Sequence, residues 1–239
     1  MVDISWLKAR PIAHRGFHDM NRVRWENTLA AFEAAAERGY AIECDVRLSA
    51  DGVPIIFHDV CLDRLTGVDG MIWQRTSAEL TSLKVGGTEE RIPTLAQALE
   101  VIAGRVPVVI ELKGIAGHDS GLAEATLSCL SGYTGQVALM SFDHWIIREL
   151  GKIAAEIPVG LTAEGRSVAA IEAHFSMLAN GISFASYCVD DLPNPFVTFL
   201  RERLSMPVIS WTVCNEEGVE RTFRYADQMT FEGFEPPAE

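Results

Sequence analysis

The stretch from Glu43 to Asp59 reads ECDVRLSADGVPIIFHD, and the fold prediction depends on it. It contains two apolar strand candidates, Tyr40–Val46 and Val53–Phe57, joined by a few residues that include Asp51-Gly52. A crossover between parallel strands needs about a dozen residues or more, so the second strand must return antiparallel as a hairpin. The hairpin therefore brings His58 back towards the carboxyl groups of the Tyr40–Val46 strand.

Outside this hairpin, short apolar runs rich in Val and Ile alternate with helical patterns such as Asn27–Arg38 and Leu95–Ala103. The strand candidates are Pro11–His14, Tyr40–Val46, Val106–Leu112, Gln136–Ser141, Pro158–Leu161, Gly181–Ala185, Pro207–Thr212 and Gln228–Phe231. This repeated strand–helix order predicts an α/β protein, a (β/α)₈ TIM barrel with a β-hairpin extension and a small insertion after strand 2. A doubly wound open sheet is the alternative, because periodicity alone does not show that a sheet closes.

Chain length and turn signals predict how the barrel is organised. The 239 residues suit one closed barrel, so we expect residues 1–239 to form a single domain. Residues from about 59 to 91 hold several glycine-containing turn signals and one short helical pattern, Ser77–Leu83. We interpret this stretch as an insertion over the barrel mouth.

The charge balance restricts the class of partner. The chain has 20 Lys and Arg residues against 33 Asp and Glu residues, a formal net charge of -13. Nucleic acids and anionic membrane surfaces favour basic patches, so neither is an expected partner. We expect a small-molecule substrate. If that substrate is anionic, a bound cation or a few Arg and Lys residues near it must offset the negative charge of the protein. The composition is also compatible with a homo-oligomer.

The N-terminus and the cysteines indicate the compartment. The first residues, MVDISWLKARPIAHRG, lack the basic start and apolar run of a signal peptide, and no later stretch approaches the roughly 18 apolar residues of a membrane span. The five cysteines are scattered without C-x-x-C spacing, which favours unpaired thiols over disulfides or a structural zinc site. We therefore predict a cytoplasmic protein without stable membrane insertion.

Carboxylates at the ends of two strand candidates point to a metal. Glu43 and Asp45 stand two apart on one strand, so their side chains leave the same face, and Glu111 ends the next barrel strand. Buried neighbouring carboxylates are costly unless protons or a cation balance them. Oxygen ligands favour Mg²⁺ or Ca²⁺ over zinc. The alternative for the first pair is a solvated strand end.

Two histidines and two cationic side chains lie at the same predicted edge. His14 and Arg15 end the first strand, His58 ends the hairpin, and Lys113 shares a face with Glu111. Two imidazoles flanking a bound phosphate can divide the two proton transfers of phosphodiester cleavage, while arginine and lysine hold phosphate oxygens. A simple ion pair is the alternative for Lys113.

Together these residues resemble the glycerophosphodiester phosphodiesterases. The resemblance rests on HRG at 14–16, EN at 26–27, ECDVRLSADGVPIIFHD at 43–59 and ELK at 111–113. Further similar pieces are IPTLAQALE at 92–100, Ser141-Phe142 and WTV at 211–213, so the resemblance covers nearly the whole chain.

The resemblance implies a TIM-type barrel that hydrolyses glycerophosphodiesters to glycerol 3-phosphate and an alcohol. It implies metal ligands at Glu43, Asp45 and Glu111, and an acid–base pair at His14 and His58. It further implies phosphate contacts at Arg15 and Lys113. Glu26 and Asn27 are implied as supports of the first-strand loop, with Glu26 extending towards the metal and substrate.

Two segments depart from the family pattern. Residues 227–234 read DQMTFEGF where the family usually has a Gly-Ile-Ile-Thr-Asp-like run, and Glu232 falls near the expected Asp. The segment GISFASYCVDD lacks a frequent polar signature and leaves Ser183, Tyr187 and Trp211 as pocket candidates, with core packing as their alternative. The departures keep open a sugar or lipid phosphodiester as substrate, and a third alternative is a catalytically silent binding module.

Overall fold

The computed structural model describes residues 3–154 and 156–237. Within them the chain forms one sheet of nine strands, of which eight are parallel. The strands are β1 (Ile12–Ala13), β2 (Ala41–Leu48), β3 (Pro54–Ile56), β4 (Val108–Leu112), β5 (Val137–Ser141), β6 (Val159–Ala163), β7 (Phe184–Cys188), β8 (Val208–Val213) and β9 (Gln228–Phe231).

The sheet closes through its shortest strand. Ile12 of β1 is paired in parallel with Ala41 of β2 on one side and with Thr230 of β9 on the other. The remaining parallel pairs run from β2 through β4 and then in sequence to β9. The predicted (β/α)₈ barrel is therefore confirmed, and the open doubly wound sheet is excluded by the β1 pairings.

The hairpin is formed as predicted. β3 is antiparallel to β2, with Val46 opposite Ile56 and Leu48 opposite Pro54. The turn between them includes Gly52 at a φ of 77°, a conformation that glycine adopts without a steric penalty. The backbone N–H of Phe57 still donates to the carbonyl of Asp45 at 3.0 Å, so the returning strand brings the next residue, His58, beside the carboxylates of β2.

Helices follow most strands and cover the outside of the barrel, except for two short helices in the segment after the hairpin. They are α1 (Leu29–Glu37), α2 (Asp63–Thr66), α3 (Ser77–Leu80), α4 (Leu95–Ile102), α5 (Leu122–Leu130), α6 (His144–Ile153), α7 (Val168–Ser176), α8 (Pro195–Leu204) and α9 (Glu216–Tyr225). Side-chain caps start several of them: Thr28 accepts from the N–H of Ala31, and Thr94 from that of Gln97. No helix within these residues is long and apolar enough to cross a membrane.

Alternate residues of each strand build two separate cores. Ile42, Cys44 and Val46 of β2 face outward into the core shared with the helices. Inward residues such as Val109 and Phe184 form a smaller core inside the barrel, which Trp6 and Leu7 close from the end opposite the hairpin. The inner face of β2 continues from Ala41 to Glu43 and Asp45, so the barrel interior changes from apolar to acidic along the strands.

The segment between β3 and α4 has an apolar cluster of its own. Phe57 of the hairpin packs there with Leu62 and Leu65 of the α2 region and with Ile72 and Leu80. This cluster packs the segment against the hairpin strand that precedes His58.

A glycine in β6 leaves room for the inner core, and this predicts the effect of a substitution. Gly160 is the register partner of Phe184, and a Cβ at residue 160 would overlap the Phe184 ring. We expect Gly160→Ala to lower the free energy of unfolding by about 1–3 kcal/mol, as overpacked cores do. Urea denaturation measures the change. Adding Phe184→Leu should recover part of the loss, and strictly additive losses in the double variant would contradict this packing.

Candidate active site

A cavity of about 250 Å³ lies inside the carboxyl end of the barrel, where the strands end. This is the end at which barrel enzymes carry their active sites. It is lined by His14, Arg15, Glu43, His58, Glu111, Lys113, Met140, Phe142, Thr162, Ser186, Trp211, Thr212 and Thr230.

Three carboxylates converge at this cavity. One oxygen from each of Glu43, Asp45 and Glu111 lies within 4.8 Å of the other two, and the residues are 1%, 1% and 5% exposed. Among the described residues, Oε1 of Glu43 is buried and has no hydrogen-bond partner. An unpaired carboxylate oxygen in an all-oxygen cluster fits the ligand preference of a hard divalent cation. The three residues can therefore hold such an ion together.

Two cationic side chains partly balance these charges. Nζ of Lys113 lies 2.7 Å from Oε1 of Glu111 and 3.3 Å from Oδ1 of Asp45, and Nε of Arg15 lies 3.4 Å from Oδ2 of Asp45. Burial acts to raise the pKa of Asp45, but Lys113 and Arg15 outweigh it and hold that pKa below its ordinary value.

The other two carboxyl groups are not fully compensated. Burial raises the pKa of Glu43 well above its ordinary value, and the charges of Asp45 and Glu111 raise it further. Burial also raises the pKa of Glu111 to about 7, against the lowering effect of Lys113. Protein cations alone leave this cluster with excess negative charge, which is what a bound cation would neutralise.

His14 is oriented by a carboxylate from the last strand. Its Nδ1 lies 2.7 Å from Oε2 of Glu232, one residue beyond β9, and its Nε2 lies 4.0 Å from Oε2 of Glu43. When Nδ1 donates to Glu232, the neutral ring carries its lone pair on Nε2, facing the cluster. Burial lowers the pKa of His14, which favours this neutral form, while the bond to Glu232 opposes the shift. A second histidine, His18, is buried with its Nε2 3.5 Å from the same Glu232 oxygen.

His58 has the same kind of support. Its Nδ1 lies 2.7 Å from Oδ1 of Asp59, so a neutral ring presents Nε2 away from that carboxylate. Burial lowers the pKa of His58, and the charge of Asp45 partly opposes this. Arg47, buried at the end of β2, donates from Nε to the carbonyl of His58 at 2.7 Å and from Nη1 to the carbonyl of Lys113 at 3.2 Å. These two hydrogen bonds link the backbone at the end of the hairpin to the backbone just after β4.

Glu26 and Asn27 both contact the loop after β1 through Arg15, but Glu26 does not extend into the cavity. The carboxylate of Glu26 does not line the cavity: its Oε1 accepts from Arg15 at 2.6 Å and its Oε2 from Asn21 at 2.6 Å, so arginine pairing holds it behind the site. It is Asn27 that reaches the cluster, donating from Nδ2 to Oδ2 of Asp45 at 2.9 Å.

The pocket candidates of strands 7 and 8 divide by strand parity. Trp211 lines the cavity beside Phe142, with ring centroids 5.2 Å apart. Tyr187 points outward instead and packs fully buried in the outer core, while its neighbour Ser186 faces the cavity. Ser183 precedes β7 and does not line the cavity. Alternation along β7 places Ser186 on the face opposite Tyr187, but because both faces are buried, the sequence alone does not show which face points into the barrel.

A model of the glycerophosphoryl diester phosphodiesterase family matches residues 14–234. Among individual relatives, a glycerophosphodiester phosphodiesterase of Caldanaerobacter subterraneus subsp. tengcongensis is 31% identical over 228 residues, which cover 91% of each chain. Glycerophosphodiester phosphodiesterase 1 of Rattus norvegicus is 35% identical over 114 residues, 43% of this chain and 33% of its own.

Solved structures match the barrel over nearly its full length. A phosphodiesterase of Oleispira antarctica, solved in complex with the product sn-glycerol-3-phosphate, superposes with a TM-score of 0.81 at 26% identity, covering 94% of this chain and 92% of that one. A glycerophosphodiester phosphodiesterase of Thermotoga maritima gives a TM-score of 0.75 at 25% identity, covering 93% and 94%.

The raised pKa of Glu111 predicts a pH dependence of stability in the metal-free protein. A carboxyl with a folded pKa of about 7 and an ordinary value of 4.5 stabilises the fold below about pH 4.5, and this contribution is lost as the pH rises through 7. Glu111→Gln does not titrate there, so its stability relative to wild type should rise between pH 4.5 and 7 by on the order of 1–3 kcal/mol. Urea denaturation of chelator-treated protein across this range measures the difference.

Glu33→Gln is the matched control. Glu33 accepts hydrogen bonds from Arg105, which lower its pKa, so its contribution appears rather than disappears as the pH rises. That change lies below the ordinary pKa of 4.5, so the stability of Glu33→Gln relative to wild type should stay nearly constant between pH 4.5 and 7. A pH-independent difference between Glu111→Gln and wild type would contradict the assignment.

Proposed function

The chain belongs to the glycerophosphoryl diester phosphodiesterase family, and on that basis we propose that it hydrolyses glycerophosphodiesters to glycerol 3-phosphate and an alcohol with a divalent cation and two histidines. One observation carries the proposal: His14, His58 and the carboxylates of Glu43 and Glu111 line a single cavity. The product named with the related Oleispira structure, sn-glycerol-3-phosphate, agrees with this substrate class.

Glu43, Asp45 and Glu111 are the proposed ligands of the cation, Mg²⁺ or Ca²⁺. When bound, the ion supplies charge that stabilises the anionic transition state of phosphoryl transfer. The choice of ion rests on the all-oxygen ligand set, since sulfur or several imidazole ligands would favour transition metals. Lys113 keeps Asp45 ionised and so keeps it available as a ligand.

His14 and His58 carry the two proton transfers. Hydrolysis forms a bond between a water oxygen and phosphorus and breaks the bond between phosphorus and the alcohol oxygen. One neutral imidazole takes the proton from the attacking water, and the other, protonated, donates to the leaving alkoxide. Glu232 and Asp59 hold the rings so that each Nε2 is free for this exchange.

Arg15 and Lys113 are the proposed phosphate contacts, and both line the cavity. Arginine offers a planar fork to phosphate oxygens, and lysine a compact charge. Trp211 and Phe142 form an apolar wall beside them, suited to the carbon skeleton of the substrate. Glu26 acts on this site through its ion pair with Arg15.

The first prediction from this proposal concerns substrate and metal. The purified protein should release glycerol 3-phosphate from glycerophosphocholine or glycerophosphoethanolamine, measured by a coupled dehydrogenase assay. EDTA should abolish release and Mg²⁺ or Ca²⁺ restore it, because the carboxylate cluster is otherwise uncompensated. Turnover of a sugar or lipid phosphodiester without turnover of any glycerophosphodiester would favour the alternative substrate class. Absence of turnover with the whole panel would contradict enzymatic function.

The second prediction concerns the histidines. His14→Ala and His58→Ala should each lower kcat by about 10²–10⁴-fold, the usual contribution of a general acid or base. His144→Ala is the control, because His144 does not line the cavity and should keep wild-type kcat. Residual activity of His14→Ala equal to wild type would support a binding role for the pocket instead.

A further inference from the structure

Arg64 lies in α2, in the segment that follows the hairpin, and its side chain is 44% exposed. It does not line the cavity, yet its guanidinium contacts the carboxylates that hold Arg15 and His58. We infer that Arg64 is a positioning residue, which aligns the phosphate-binding side and the proton-transfer side of the site through Glu26 and Asp59. This inference rests on the proposed function, since it assigns Arg64 a part in the same reaction.

The contact with Glu26 is bidentate. Nη1 of Arg64 lies 3.0 Å from Oε2 and Nη2 lies 2.7 Å from Oε1 of this carboxylate. The same Oε1 accepts from Nη1 of Arg15 at 2.6 Å. Glu26 is 5% exposed, so it needs both cations to offset the cost of burying its charge. The position of Arg15 therefore depends on a carboxylate that Arg64 holds from the opposite side.

The contact with Asp59 is bidentate as well. Nε of Arg64 lies 2.5 Å from Oδ2 and Nη2 lies 3.1 Å from Oδ1. Oδ1 also contacts Nδ1 of His58 at 2.7 Å. Asp59 thus lies between the Arg64 guanidinium and the His58 imidazole. The orientation of its carboxylate sets the orientation of the His58 ring, because Oδ1 contacts Nδ1 of that ring.

The guanidinium group suits this task for a geometric reason. Its planar fork of N–H donors satisfies two carboxylates at once, whereas a lysine ammonium offers one point of charge. The resulting chain alternates in charge from Arg15 through Glu26, Arg64 and Asp59 to His58. It joins the loop after β1 to the end of the hairpin.

Folding of the segment does not depend on this arginine alone. Leu62 and Leu65 on either side of Arg64 are 0% and 2% exposed and pack with Phe57 and Ile72 in the apolar cluster under the segment. Removal of the guanidinium should therefore loosen Glu26 and Asp59 while leaving the segment in place.

The kinetic test compares Arg64→Gln with Arg105→Gln. Arg105 is the matched control: it is 40% exposed, makes a bidentate pair with Glu33, and does not line the cavity. We expect Arg64→Gln to lower kcat by about 10–100-fold, the cost of a misplaced catalytic group, while Arg105→Gln stays within twofold of wild type. Arg64→Lys should lose less kcat than Arg64→Gln but stay below wild type, because lysine keeps the positive charge but lacks the planar set of N–H donors.

A double-mutant cycle tests the route through Asp59. If Arg64 acts on His58 through this carboxylate, Arg64→Gln adds little to the kcat loss of Asp59→Asn. Equal kcat for Arg64→Gln and Arg105→Gln would overturn the inference, and losses that multiply in the double variant would overturn the route to His58 through Asp59. Thermal denaturation checks that each variant is folded. If Arg64→Gln does not fold, Arg64→Lys replaces it in the cycle.

A spectroscopic measurement separates this inference from the proposed function. Nitrogen-15 NMR of the histidine side chains reports the tautomer of His58, assigned with His58→Gln, and needs no turnover. Arg64→Gln should change the His58 signals, whereas Arg105→Gln should leave them as in wild type. Unchanged signals in Arg64→Gln would overturn the positioning role, and an inactive wild-type protein would overturn only the proposed function.

Discussion

One oxygen from each of Glu43, Asp45 and Glu111 lies within 4.8 Å of the other two, and all three residues are almost fully buried in the barrel. Three like charges in such a place are unfavourable, and the charged groups around them are arranged accordingly. Lys113 pairs with two of the carboxylates and Arg15 with one. The excess negative charge that remains is the physical basis for the proposed cation.

The side chains that face the three carboxylates are themselves held in place by further charged residues. Arg15 faces Asp45, but it is held there by Glu26, whose buried carboxylate in turn needs Arg64. His14 and His58 each face the cavity because a carboxylate engages Nδ1 from behind. The charges around the site thus alternate in sign: the three inner carboxylates lie in β2 and β4, whereas Arg15, Glu26 and Arg64 lie outside the strands. The strands hold the three carboxylates in fixed positions. Residues outside the strands orient the arginine and the two imidazoles around them.

Sequence reasoning succeeded where strand parity or connection length decides the outcome. Same-face spacing placed Glu43 with Asp45, and the short turn required β3 to return antiparallel. It left the pocket side of β7 open: Tyr187 lies in the outer core, which was the alternative for this residue, and Ser186 faces the cavity. Alternation separates the two faces of β7, but both faces are buried, so the sequence alone does not show which of them points into the barrel.

The sequence by itself therefore determined the strand–helix order, the hairpin and the inner carboxylates, because each follows from periodicity within a few residues. The tertiary structure alone decided which distant residues meet. Glu232 contacts His14 across 218 positions, and Arg64 meets Glu26 across 38. These contacts exist because β1 closes the barrel between β2 and β9, and because the segment after the hairpin packs over the loop from β1. Local patterns carry no information about such closure, since it depends on how all eight parallel strands twist and pair.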